Sequence, residues 1–500
     1  MQTLADRIVQ ALGRRPGLSS GEHVLDGPTL AADVGDAARA LQARGVHSGD
    51  IVAWLGHNSL AMLLNALACQ RLGAVWMPLN WRLALPEMQQ QLLHAGAAHL
   101  CHDEPFATTA AALTSALQPT AGDTGGAQTG VQAGVQAGDT LLVYTSGTTG
   151  APKGAMHTLV GVLANAQAAI DAQGLDSATR ALCVLPLFHV GGLCIQTLPT
   201  LLAGGQVRLH ARFAPEAWFD DVQSWRPSTC LVVPAVMRAL IEHPRWASAD
   251  LSSLRFVTAG SQFVPPVLIE AFHARGVPVA QVYGATETGP VSLVLRPEEA
   301  MQHVGCVGRP ALGVELRIAS DGEILLRAPQ LMRGYHRQAQ PSFDVQGWFH
   351  TGDLATRHRS GMIEVVGRAH ELIISGGENI HPAEIERLVA PWPGIVECAA
   401  LGLPDARWGE VPVLVVVAQP GVALDEAALL HMLASHLARF KVPRRIVVLT
   451  ELPRTALGKV QKAVLARQLH AGDVPGDAPG HAPGHAPAAA LDQDRAPRPP

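Results

Sequence analysis

Residues 142–153 read LVYTSGTTGAPK, a short apolar strand that runs into a loop of Ser, Thr and Gly and ends on a lysine. Gly147 and Gly150 let backbone N–H groups turn toward an anion without interference from a Cβ. The hydroxyls of Thr145, Ser146, Thr148 and Thr149 add donors, and Lys153 adds a point charge. Polyphosphate is the guest such a loop suits. It is not a Walker A loop, which needs Gly-Lys-Ser/Thr, because Pro152 precedes the lysine and Gly154 follows it. Taken alone, the stretch also reads as a Ser/Gly-rich surface turn.

Five further segments, working outward, remove that ambiguity. They are PLFHVGG at 186–192, VYGATETG at 282–289, GWFHTGD at 347–353, GRAHELIISGGENIHPAEIE at 367–386 and PRTALGKVQK at 453–462. Together with the loop, and in this order, they resemble the adenylate-forming superfamily of acyl-CoA synthetases, luciferase-like enzymes and peptide-synthetase adenylation domains. The resemblance covers roughly residues 25 to 470. It implies an α/β fold: a large N-terminal domain of parallel βα sheets, 1–369, and a smaller mobile α+β C-terminal domain, 370–470.

Composition sets the outer bounds. Five hundred residues, 48% of them apolar, exceed what one core organises, so two or more domains are expected. A net charge of −5 with no basic block argues against nucleic acid as the main partner. The seven cysteines are dispersed without CxxC pairs, which reads as reduced thiols and not as a disulfide or zinc framework. No run approaches the roughly 18 apolar residues of a membrane span, and the N-terminal stretch MQTLADRIVQALGRR is amphipathic without a signal-peptide core. A cytoplasmic protein without an integral membrane segment is expected; a homodimer stays open.

Short β-branched runs alternate with Ala/Leu-rich helical patterns, the mark of βα units. A strand is expected at 50–55, a helix at Leu60 to Leu72 and a strand at 74–78. Residues 118–139 are rich in Gly, Ala, Thr and Gln and read as a flexible linker, and 471–500, with its small APGH repeat, as a disordered tail. Beyond 370 a strand at 371–375, a helix from Pro382, a strand at 411–418 and a helix at 427–439 are expected.

The resemblance assigns roles residue by residue. Tyr283 would lie on adenine beside Gly284, with Gly260 and Ser261 as a weaker adenine-side signal. Thr286 would meet the α-phosphate, and Glu287 would help hold Mg²⁺, which prefers few carboxylates plus phosphate oxygens and water. Asp353 would accept the ribose hydroxyls, with Arg368 as a second contact. His189 would gate the acyl pocket, although a lone histidine also serves as a structural residue. Gly191 and Gly192 either open space for an acyl chain or permit close packing. Lys459 would bridge carboxylate and α-phosphate, and Gly376 and Gly377 would line a pantetheine tunnel. Lys441, Arg444 and Arg445 form a basic cluster suited to CoA phosphates or to a solvated surface. At the hinge, His370 replaces the usual Asp or Lys and Glu371 the commoner Asp.

The resemblance implies ATP-dependent activation of a carboxylic acid through an acyl-AMP to its CoA thioester, with ATP, Mg²⁺ and coenzyme A required. A fatty acid is the expected substrate. An aromatic or dicarboxylic acid such as succinylbenzoate is the alternative, with Arg238 as a reader of a second carboxylate or an ordinary helix arginine. Loading of a carrier protein and a silent nucleotide-binding scaffold are the remaining readings. Intact Lys153, Glu287, Asp353 and Lys459 argue against the scaffold.

Overall fold

The computed structural model describes residues 2–117, 135–145, 153–260, 263–338, 342–375, 378–405, 407–454 and 459–470. Its N-terminal stretch forms the helix Leu4–Leu12, capped by Thr3, and turns Leu4, Ala5, Ile8 and Leu12 inward at the spacing one helical face requires. The expected helix Leu60–Leu72 forms with those bounds. Ser59 accepts the Met62 amide at its start, and Gly73, at φ 72°, ends it in a left-handed turn that a side chain would disfavour. It packs on Gly27–Ala43, and the large apolar side chains buried along such faces stabilise by about 1.5–3 kcal/mol each.

Two large sheets flank the helix Leu159–Gln173. Val162, Ala166, Ala169 and Ala172 are buried along it, and the alanines let both sheets approach closely. The nine-stranded sheet carries a parallel centre of Gln206–Leu209, Arg180–Cys183, Thr229–Val232, Phe256–Gly260 and Val279–Tyr283. The six-stranded sheet sets Ile51–Leu55, Val75–Pro78 and Asp139–Thr145 in parallel. The βα reading therefore describes the two cores. It misses that Asp139–Thr145 and Lys153–Thr158 form an antiparallel hairpin, with Thr145 opposite Lys153. A third sheet, Glu315–Ile318, Glu323–Arg327, Phe349–Arg357 and Ile363–Arg368, is antiparallel throughout.

After the short turn Ala369–Glu371 the chain builds another sheet from Ile373–Ser375, Glu378–Ile380, Ile395–Asp405, Gly409–Ala418 and Arg445–Leu449. The helices Pro382–Val389 and Glu426–His436 pack on it around Ile373, Ile385, Leu414, Leu429 and Leu433. Of the expected linker, 118–134 lies outside the described residues, as does the 471–500 tail. Its last residues are not linker: Val135 is buried, and Asp139 opens the strand and is held by Arg333 at 2.9 Å. All seven cysteines are free. Among the described residues no helix is long and apolar enough to cross a membrane.

Candidate active site

The hairpin brings Thr145 and Lys153 side by side at its mouth. Ser146, Gly147, Thr148, Thr149 and Gly150 lie outside the described residues. The Lys153 ammonium sits over the ring of Tyr335, 5.3 Å from its centroid. Tyr335 reaches this place because Gly334–Tyr335 pairs with the outer edge of the same hairpin, opposite Met156 and Ala155.

The strand Val279–Tyr283 ends where the chain leaves the sheet. A Cβ at Gly284 would lie 2.5 Å from the Pro290 carbonyl oxygen, so only glycine allows the return loop to close here. Thr288 fixes the turn by accepting the Ala285 amide at 2.9 Å. Thr286 is buried, and burial pushes the imidazole of the buried His157 down to about 4. The Glu287 carboxylate accepts the Tyr335 hydroxyl at 2.9 Å and that of Thr145 at 3.5 Å. Burial, then the charge of Glu287, raises the Tyr335 phenol, which keeps it a donor.

Asp353, 8% exposed, accepts the Tyr283 hydroxyl at 2.7 Å on one oxygen and Arg368 Nε at 2.9 Å on the other. Tyr283 and Asp353 come from different sheets, so this contact joins the expected adenine and ribose residues in one place. Gly260 ends the neighbouring strand, fully paired with Val282; Ser261 lies outside the described residues.

His189 precedes a seven-residue π-helix, Gly191–Thr197. Desolvation lowers its imidazole to about 4, and the charges of Lys459 and Arg82 act in the same direction, so it is neutral at pH 7. Gly192 is a packing glycine: a Cβ there would meet the Pro186 carbonyl oxygen at 2.3 Å. Buried amides take up π-helix carbonyls, Asn165 that of Cys194 at 2.7 Å and Gln173 that of Ile195 at 2.9 Å.

The segment beyond the last strand of the C-terminal sheet, where Arg454 bridges Val460, brings Lys459 to the same charges. Desolvation lowers its pKa, assisted by Arg368, while Asp353, Glu287 and Glu371 pull it back. Lys462 ties this segment to the hinge turn through Glu371 at 3.2 Å and to Glu386 at 2.8 Å. An ion pair between Arg387 and Glu364 crosses from the C-terminal helix to the last strand before the hinge. The His370 side chain, Gly376 and Gly377 lie outside the described residues. Lys441 is engaged by Glu384 at 2.8 Å, and Arg444 lies over Trp408, 5.9 Å from its centroid. Arg238 lies half-buried in the last turn of the helix Pro234–Ile241.

Sequence reasoning passed over Tyr335, Arg82 and the Asn165–Gln173 pair. One signal was present: the chain has only three tyrosines, and all three hydroxyls are committed around this site, Tyr144 to His94 at 2.7 Å, Tyr283 to Asp353 and Tyr335 to Glu287. Among the described residues no group of three or more His, Cys, Asp or Glu could hold a metal alone. Glu287 beside the phosphate loop does fit Mg²⁺ that arrives on a nucleotide, since that ion takes one or two carboxylates plus phosphate oxygens.

Residues 14–336 match the AMP-binding enzyme family and 384–459 its C-terminal domain. An indoleacetate–CoA ligase of Aromatoleum aromaticum is 43% identical over 92% of this chain and 96% of its own. A feruloyl-CoA synthase of Amycolatopsis is 40% identical over 88% of this chain and 93% of its own. The Bacillus subtilis o-succinylbenzoate CoA synthetase, solved with its acyl-adenylate intermediate, superposes with a TM-score of 0.81 at 29% identity, over 94% and 98% of the two chains. The chain belongs to the AMP-binding enzymes of the adenylate-forming superfamily and is an AMP-forming acid–CoA ligase.

Proposed function

We propose that the acid is an aromatic monocarboxylic acid of the indoleacetate or hydroxycinnamate kind. The observation that carries this reading is the near full-length similarity, at 40% identity or more, to ligases named for indoleacetate and feruloyl substrates. It replaces the fatty acid expected from the sequence with that expectation's aromatic alternative. The fixed π-helix after His189 and the packed Gly192 support it, because a rigid wall suits a flat ring better than a long flexible chain.

In this reading one oxygen of the substrate carboxylate attacks the α-phosphorus of ATP, and the bond to pyrophosphate breaks. Asp353 and Arg368 hold the ribose, Tyr283 and the Gly260 and Gly284 segments the base, and Lys153 the phosphates. Mg²⁺, held by Glu287, neutralises phosphate charge when bound. Lys459 stabilises the negative charge that develops at the α-phosphate. Neutral His189 separates the acyl pocket from that charge. The C-terminal domain, taken as 370–470 against 1–369, then turns about the hinge at 370, and the CoA sulfur attacks the acyl carbonyl as AMP leaves. The exposed rings of Trp408 and Phe440, with Arg444, offer CoA a landing surface.

The test is CoA-dependent AMP release with indole-3-acetate, ferulate, 2-succinylbenzoate and decanoate. At least one of the two aromatic monoacids should exceed decanoate in kcat/KM by about 100-fold or more, a ratio within reach of pocket complementarity. A preference for decanoate would refute the proposed substrate class.

A further inference from the structure

Tyr335 stands between the two charged groups that any nucleotide must engage. Its hydroxyl donates to Glu287 Oε1 at 2.9 Å, while its ring faces the Lys153 ammonium at 5.3 Å. Both contacts use one rigid side chain, held by the pairing of Gly334–Tyr335 with the phosphate-loop hairpin. The turn beyond is committed too. Arg337 adopts φ 55°, a left-handed conformation costly for arginine, and donates to the His94 carbonyl at 3.0 Å. His336 is 2% exposed and bonds the Ala95 carbonyl at 3.1 Å. Strain held on one side and burial on the other leave Tyr335 little freedom. Among the described residues Lys153 makes no ion pair with a carboxylate. An ammonium parked on a ring face is held by a contact far weaker than the ion pairs it can make with phosphate.

We propose that Tyr335 is a positioning residue that keeps Glu287 and Lys153 from pairing with each other, so that the empty site stays open to Mg-ATP. This rests on the nucleotide reading of the site. Without the hydroxyl, Glu287 is released to turn toward the lysine, and that ion pair must break before metal and phosphate can bind. The effect belongs to binding and not to the chemical step. Isothermal titration of the full-length enzyme with Mg-ATP, without acid or CoA, tests it. Tyr335→Phe keeps the ring and should weaken binding about tenfold, the scale of one hydrogen bond to a charged group. Its kcat at saturating Mg-ATP and its melting temperature should match wild type, whereas a merely structural role would lower both. In a Glu287→Gln background, where no anion remains to pair with Lys153, removing the hydroxyl should cost less than about twofold. Unchanged affinity in Tyr335→Phe, or the same loss in both backgrounds, would overturn the proposal. A wild-type enzyme that binds no Mg-ATP would instead overturn the nucleotide reading beneath it.

Discussion

Lys459 is the residue on which the two half-reactions should part. Its ammonium feels Arg368, Asp353 and Glu287 in the present arrangement, and in the proposed mechanism its charge acts on the α-phosphate. Lys459→Ala should lose on the order of 10²-fold or more in acyl-AMP formation, the scale of a lost electrostatic donor. Supplied acyl-AMP plus CoA should still give thioester nearly as in wild type, because the proposed domain rotation would withdraw the lysine. Equal loss in both half-reactions would contradict this assignment. At this scale the sequence was most legible. Lys153, Tyr283, Glu287, Asp353, Arg368 and Lys459 each sit in a motif whose chemistry could be argued from residue type, and the structure gathers them. Tyr335 was not legible, because its role depends on which hairpin edge it pairs with, and no local pattern encodes that.

The elements around the site show where local reasoning stops. Leu60–Leu72 was readable because its cap, apolar face and terminal glycine all lie within the segment itself. The π-helix Gly191–Thr197 was not, since its carbonyls are taken up by Asn165 and Gln173 from a helix some 20 or more residues earlier in the chain. Gly192 makes that element testable. An added methyl would drive against the Pro186 carbonyl and push the start of the π-helix away from His189. Gly192→Ala should destabilise by about 1–3 kcal/mol, the usual cost of overpacking, and should alter the order of preference among aromatic acids. A variant with wild-type melting temperature and wild-type preference would show that the glycine only fills space.

For the molecule as a whole, buried imidazoles tie stability to pH. His157, 4% exposed, and His336, 2% exposed, are both pushed down to about 4, chiefly by burial, from an ordinary value of 6.5. Between those values the unfolded chain binds more protons than the folded one, so stability rises with pH across that window and is fully present above it. Each histidine should withdraw on the order of 2 kcal/mol by pH 5. The melting temperature should be flat from pH 8 to about 7 and fall as pH drops from about 6.5 to 5, before most carboxylates titrate. A flat profile across the lower window would contradict the neutral burial of these rings. The two-unit organisation was foreseeable from length and motif order, but the ion pairs that dock one unit on the other, Arg387 with Glu364 above all, join residues whose partnership only the assembled fold defines.

In the proposed reaction an acid carboxylate, and not water or another nucleophile, attacks the α-phosphorus beside Lys153, Glu287, Asp353 and Lys459. Carboxyl-¹⁸O-labelled indole-3-acetate tests it most directly, with ATP and CoA supplied and the products read by mass spectrometry. One ¹⁸O per turnover should appear in AMP and none in pyrophosphate, because the attacking oxygen stays on the α-phosphorus when CoA releases the acyl group. Thioester formed with ADP and ¹⁸O-labelled inorganic phosphate, or with unlabelled AMP, would contradict attack by the carboxylate on the α-phosphorus.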